Sequence, residues 1–167
     1  MKKIIALFLL LILSVGCSSQ PTDTSQLPSP VLSSSTDEAR DTLIRFFELL
    51  NMKKYTEADV LYAGDYEIMQ TWNPDIDPSD HVKLWKHACE WNGLQCLVIR
   101  TATLSGQKDN ISVFQVEFSN PDGSLFVLGP CCGANETEMH PVSQFEYRVL
   151  KTTEGEFLVM DMPPYVP

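Results

Sequence analysis

Apolar positions follow three rhythms along the chain. The first is an unbroken run, Ile4 to Leu13 in "MKKIIALFLLLILSVGCSS", shorter than the roughly 20 apolar residues a membrane-spanning helix needs. The second has helical period. In "SSTDEARDTLIRFFELLNMKKY" the residues Ala39, Leu43, Phe46, Phe47 and Leu50 share one stripe, and Ser35 with Glu38 forms a capping-box pattern, so an amphipathic helix is predicted from about 37 to 51. A shorter helix follows, capped by Thr56, with Ala58, Leu61 and Tyr62 turned inward and Gly64 at its C-terminal stop. "DYEIMQTW" is too brief for periodicity to separate strand from helical turn. After the loop "NPDIDPSD", Asp77 and Pro78 open a third helix, in which Val82, Leu84, Trp85, Ala88 and Trp91 cover one side and Gly93 ends the run.

From Leu94 the rhythm changes to alternation. "LQCLVIRTATL", "ISVFQVEFS", "SLFVL", the segment around Phe145, Tyr147 and Val149, and "FLVMDM" are predicted strands, with Phe114, Val116 and Phe118 on one face. "NPDG" at 120–123 is a hairpin turn, since Pro presets the first corner and Gly accepts positive φ. The closing "PPYVP" cannot form a central strand because proline has no N–H to donate. Helices first and antiparallel strands afterwards give an α+β order.

This order, with the "FFELL" stripe of the first helix and "KKYTEADVLYAG" as the second, resembles the nuclear-transport-factor-2-like fold, one of the cystatin-like cones. The resemblance covers about 37 to 162 and implies three N-terminal helices packed on a curved antiparallel sheet of four to six strands. It rests on element order and carries no catalytic motif.

The N-terminus sets the expected address. Lys2 and Lys3, the apolar run and the small residues after it read as an export signal. "LSVGC" resembles the bacterial lipobox, with Gly16 before Cys17, although Ser14 stands where that family most often has Leu. The resemblance implies cleavage of residues 1–16 and acylation of Cys17, palmitate among the chains, which anchors the protein to the membrane on the outer side of the envelope. Residues 17–36, rich in Ser, Thr, Pro and Gln, read as a flexible tether reaching about 25 Å as a coil and about 60 Å extended. Residues 37–167 then form a single α+β domain. The formal charge of −10 grows two units more negative once Lys2 and Lys3 leave. Such a surface repels phosphate backbones and excludes nucleic acid as a partner, leaving an envelope protein or a small ligand.

Four cysteines remain: Cys89, Cys96, Cys131 and Cys132. An even number in an exported domain favours disulfides. Gly93 reverses the chain between Cys89 and Cys96, so those two are expected to bond, and Cys131 and Cys132 are then either joined to each other or both free. Two cross-links from the Cys89/Cys96 corner to the "GPCCGANETEMH" loop are the alternative. Zinc sites favour C-x2-C spacing, which neither pair has, so no metal is expected even with Glu136, Glu138 and His140 nearby.

The chain holds no G-x-S-x-G, H-E-x-x-H or phosphate-cradling glycine loop. His81 and His87 lie six residues apart, which does not put two imidazoles on one metal. Asp161 shares a strand face with Phe157 and Val159 and is the best inward acid. Trp72, Trp85 and Trp91 are candidates to line a cavity mouth and touch a ligand. The expectation is a domain that acts by binding and uses no cofactor. The rival readings are a small-molecule or peptide binder using the cone cavity, and a cone-fold hydrolase or isomerase.

Overall fold

A computed structural model describes residues 34–167. The expected export signal, Cys17 and most of the expected tether lie outside the described residues. The elements are α1 (Ser35–Asn51), α2 (Tyr55–Asp59), α3 (Glu67–Trp72), α4 (His81–Glu90), β1 (Val98–Lys108), β2 (Ile111–Ser119), β3 (Phe145–Lys151) and β4 (Phe157–Val159). The strands form one antiparallel sheet in the order β1-β2-β3-β4.

The helical part has four helices where three were expected. The undecided "EIMQTW" is α3, a short turn that buries Met69 and half-buries Trp72. α1 is capped by Ser34 rather than Ser35: its hydroxyl accepts from the Asp37 N–H at 3.2 Å and donates to the Asp37 carboxylate at 2.7 Å, closing the box one residue earlier. α4 starts at His81, not at Pro78. Asp77 is occupied by an Asx turn, accepting from the N–H and hydroxyl of Ser79, and Asp80 is the cap, accepting from the Lys83 N–H at 3.1 Å. Thr56 lies inside α2 and does not cap it. Gly64 does not end a helix in a left-handed conformation; a Cβ there would collide with the Tyr62 hydroxyl and the Met160 carbonyl.

Phe46 and Phe47 are adjacent on α1, about 100° apart around the helix, so they enter two different layers. Phe46 faces the helices, stacked on Tyr62 at 5.8 Å and edge-on to Trp85 at 5.6 Å. Phe47 faces the sheet, 4.9 Å from Phe118 and 5.1 Å from Tyr147. All of these rings are buried, each contributing on the order of 2–3 kcal/mol by area removed from water. The space between α1 and the sheet is thus filled by side chains.

"SLFVL" does not form a full strand. β1 occupies one edge of β2, and β3 takes the other from Ile111 to Val116, so the returning chain finds only the last residues of β2 unclaimed. It makes a bridge from Leu125 to Ser119 and a hydrogen bond from the Phe126 N–H to the Phe118 carbonyl at 2.9 Å. Phe126 is buried while Leu125 and Val127 stay exposed. The outer edge of β4 is covered by Leu61 and Ala63, which bond to Val159 on both sides. β1 carries register breaks between Ile99 and Thr101 and between Leu104 and Gly106, the kind of bulge that bends a strand and blunts a sheet edge.

Candidate functional site

The candidate site is the corner where α4 gives way to β1. The Asn92 N–H bonds to the His87 carbonyl and the Leu94 N–H to that of Ala88, both at 3.0 Å, which winds the helix end inward. Gly93 then reverses the chain at φ 92, and a Cβ there would collide with the Val166 carbonyl. The reversal brings Cys89 and Cys96 to a Cα separation of 5.7 Å with the two sulfurs at bonding distance. The C-terminal tail is laid against the same corner through Val166 N–H to Gly93 carbonyl at 3.0 Å and Gln95 N–H to Pro164 carbonyl at 2.7 Å. The prolines donate nothing, and the tail pairs only through Val166 and its carbonyls.

A cleft of about 630 Å³ opens between this corner and the α1–α2 junction. Its floor is polar and internally bonded. The Tyr55 hydroxyl donates to Glu90 at 3.1 Å, the Lys53 ammonium lies 3.4 Å from the same carboxylate oxygen, and the Asn51 amide donates to the Cys96 carbonyl at 3.0 Å. Burial pushes the Glu90 carboxyl up, but the Tyr55 hydrogen bond and the Lys53 charge outweigh it and hold it below the usual glutamate range. Burial first, and then the Glu90 carboxylate, push the Tyr55 hydroxyl up to about 12. Trp91 stands at the rim with 61 % of its surface exposed. It is flanked by the His87 ring at 4.4 Å and by the Lys86 ammonium 5.6 Å from its centroid.

Two smaller clefts, each of about 440 Å³, adjoin the same segment. One runs from Gln95 along Phe126–Cys132 to Val166, and the other lies between Leu97, Val98 and the 119–123 turn. Gln95 to Val98 therefore walls all three, and the bond at Cys96 tethers that wall to α4.

The three tryptophans are not brought together. Trp85 is a core residue with no exposed surface, packed on Phe46, Tyr62 and Tyr66, so it presents nothing to a ligand from solvent. Trp72 is half-buried and stacked on Tyr165 at 4.9 Å. Only Trp91 is free to meet a ligand at the main cleft. Asp161 is not aimed into the core. It accepts from the Arg148 backbone N–H at 2.7 Å and from the Arg148 guanidinium in a bidentate pair, an arrangement that ties β3 to the chain after β4. That carboxylate raises the Arg148 pKa further.

Cys131 and Cys132 face each other with sulfurs 2.8 Å apart, unbonded, and with Cys89 and Cys96 joined the double cross-link to the corner does not form. Among the described residues no three His, Cys, Asp or Glu side chains converge on a metal position. In the loop, Glu138 is engaged in a local turn, accepting from the Asn135 N–H at 3.0 Å, and His140 is exposed.

Two clusters escaped the sequence reading. The Tyr66 hydroxyl donates to Asp59 at 2.5 Å, and the His81 ring stacks on Tyr66 at 3.8 Å with its Nδ1 3.7 Å from the same carboxylate. Burial, and then Asp59, push the Tyr66 hydroxyl well above its usual range. The buried Asn73 joins α3 to the end of α4. Its amide donates to the Met69 carbonyl and to Asn92, and its oxygen accepts from His87 at 3.1 Å, which places the proton on His87 Nδ1. Residues 59, 66 and 81, or 73, 87 and 92, share no sequence period, so no spacing signal announces them.

Compared with known protein families, curated proteins and solved structures, the chain matches none of them.

Proposed function

We propose that this protein is a lipid-anchored extracytoplasmic domain of the bacterial cell envelope that acts by binding, with a nuclear-transport-factor-2-like cone held to the membrane through acylated Cys17. The reading of the site is carried by one observation. Trp91, an aromatic side chain with 61 % exposure, stands at the mouth of a cleft of about 630 Å³ whose wall is held by the Cys89–Cys96 pair. A fixed wall lowers the ordering cost of binding, and an aromatic rim supplies contact area at few rotatable bonds. The occupant is a small ligand or a peptide segment of an envelope partner, oriented by Asn51, Lys53 and Glu90. The outer cleft is favoured over the cone cavity because Phe47, Phe118 and Tyr147 fill the space between α1 and the sheet. Binding is favoured over hydrolysis or isomerisation because Asp161, the best inward acid, is engaged by Arg148.

Two measurements test this. Metabolic labelling with an alkyne fatty acid is expected to tag the full chain and to lose the tag in Cys17→Ala; an untagged native chain removes the anchor. A photo-crosslinking amino acid at position 91, introduced in the native envelope, is expected to yield a defined adduct by mass spectrometry that the same probe at exposed Glu154 does not. Equal adducts at both positions, or none, remove the binding cleft.

A further inference from the structure

Cys131 and Cys132 are nucleophilic side chains that the binding reading leaves without a role. Their sulfurs stand 2.8 Å apart, closer than nonbonded sulfurs normally approach and short of a covalent bond of about 2.05 Å. Either thiol can donate to the other across this contact. Hydrogen bonding to Cys132 and then burial push the Cys131 thiol up. Cys132 is exposed, at φ 59, and Gly133 continues the left-handed turn at φ 87 with open space around its Cα. The loop that carries them is fastened at its base by the Leu128–Val142 bridge and contributes nothing to the sheet ladder. A bond between the two sulfurs can therefore form without disturbing the core. The pair also lines one of the 440 Å³ clefts, whose other walls include Phe126, Leu128 and Val166.

We infer that Cys131 and Cys132 are a thiol–disulfide exchange site that closes to a vicinal disulfide by reducing an organic disulfide seated in the adjoining cleft. The exposed Cys132 thiolate, hydrogen-bonded by the Cys131 S–H, attacks one sulfur of the substrate R–S–S–R. That S–S bond breaks, RS⁻ leaves, and Cys132 holds a mixed disulfide. Cys131 then loses its proton and attacks the Cys132 sulfur, the second RS⁻ leaves, and the intramolecular bond closes. The two cysteines give up two electrons and two protons, and the substrate becomes two RSH. The loop carries Glu136 and Glu138 and no Lys or Arg between 129 and 144, so a neutral disulfide reacts more readily than an anionic one.

The test uses the full chain in detergent with bis(2-hydroxyethyl) disulfide and its thiol at graded ratios, quenched with iodoacetamide and read by mass spectrometry. As the ratio turns oxidising, the peptide holding Cys131 and Cys132 is expected to pass from two alkyl labels to none with loss of two hydrogens, reversibly, while the Cys89–Cys96 peptide is unchanged. In Cys131→Ser the reaction is expected to stall as a mixed disulfide on Cys132. Val166→Trp, which narrows the cleft from an exposed position, is expected to slow formation of the mixed disulfide on Cys132 several-fold while leaving the iodoacetamide rate unaltered. Both thiols staying alkylatable at every ratio, a stable adduct on each cysteine, or a cross-link to Cys89 or Cys96 overturns the exchange site. An unaltered rate of mixed-disulfide formation in Val166→Trp overturns the cleft as its seat.

Discussion

The two cysteine pairs show how differently the same side chain is used at two places in one domain. Cys89 and Cys96 are seven residues apart and sit where a helix end, a left-handed glycine, the C-terminal tail and the first strand converge. Cys131 and Cys132 are neighbours on a loop fastened by one bridge, with one sulfur exposed. The first pair joins elements that converge from different parts of the chain, and its bond ties the start of the strand region to the end of α4. The second has its two sulfurs in contact and few neighbours to resist a change in their oxidation state. A cross-link that spans converging elements stabilises the fold; one that spans adjacent residues changes only a loop.

The largest effect expected from this contrast is on stability. Removing the corner bond in Cys89→Ser with Cys96→Ser should cost about 2–3 kcal/mol, the loop-closure value for a ring of this size. The same double change at Cys131 and Cys132 should stay within about 0.5 kcal/mol, as for a surface substitution that disturbs no packing. Urea midpoints of the two variants beside the parent measure the difference, and equal losses would end the contrast.

Next in size is a comparison of two left-handed glycines. Gly93→Ala and Gly133→Ala both place a Cβ at φ near 90°, at a backbone cost of roughly 1–2 kcal/mol. At Gly133 there is open space, whereas at Gly93 the Cβ meets the Val166 carbonyl. Gly93→Ala is therefore expected to destabilise more and to detach the tail. Hydrogen exchange at the Val166 and Gln95 amides reads this directly, and retained protection in Gly93→Ala argues against a corner built around the tail.

These outcomes bear on how much of the molecule could be read in advance. The α1 stripe, the Gly93 reversal and the β2 alternation are strong local signals, because each places many apolar groups at one period or needs one unusual φ. The start of α4 was not legible. Pro78 is a permissible first-turn residue, but the Asp80 cap won the competition, and nothing local ranks one against the other. "SLFVL" alternates like a strand, yet strands need partners, and β1 and β3 had already taken most of β2. The tryptophans are legible as aromatic positions but not as one group. Six residues along a helix turn a side chain by about 600°, so Trp85 and Trp91 lie about 120° apart and cannot line one surface. One is buried in the helical core and the other stands in solvent. Of the site itself, the sequence carried the disulfide spacing but not the cleft, since Asn51, Lys53, Tyr55 and Glu90 meet only through packing of α1, α2 and α4.

An effect of similar size should come from the network behind the corner. Asn73→Ala leaves the His87 ring without its partner and frees α3 from α4, at about 1–3 kcal/mol for a buried donor and acceptor left unmatched. The cost should fall on the corner and spare the loop. Iodoacetamide rates at Cys131 and Cys132 are expected to be unaffected while the Trp91 fluorescence maximum shifts as its His87 neighbour loosens. A change at the loop thiols without one at Trp91 would reverse the assignment.

The smallest effect is a pH signature confined to the cleft. The Tyr55 hydroxyl is raised from 10.0 to about 12 by burial and by Glu90. A group whose folded pKa lies above its unfolded one contributes stability fully below the unfolded value and loses it as pH climbs through the folded value. Between about pH 10 and 12 the parent should therefore lose stability partly through Tyr55. Tyr55→Phe should be modestly less stable at neutral pH, by about 1 kcal/mol for the lost hydrogen bond, and should show a shallower decline over that alkaline window. Tyr62, Tyr66 and Tyr147 are raised as well and remain in the variant, so the change is one of slope and not of onset. If the alkaline limbs of parent and variant superimpose, Tyr55 is already ionising as it would in the unfolded chain, and the polar floor of the cleft is looser than its bonds to Glu90 imply.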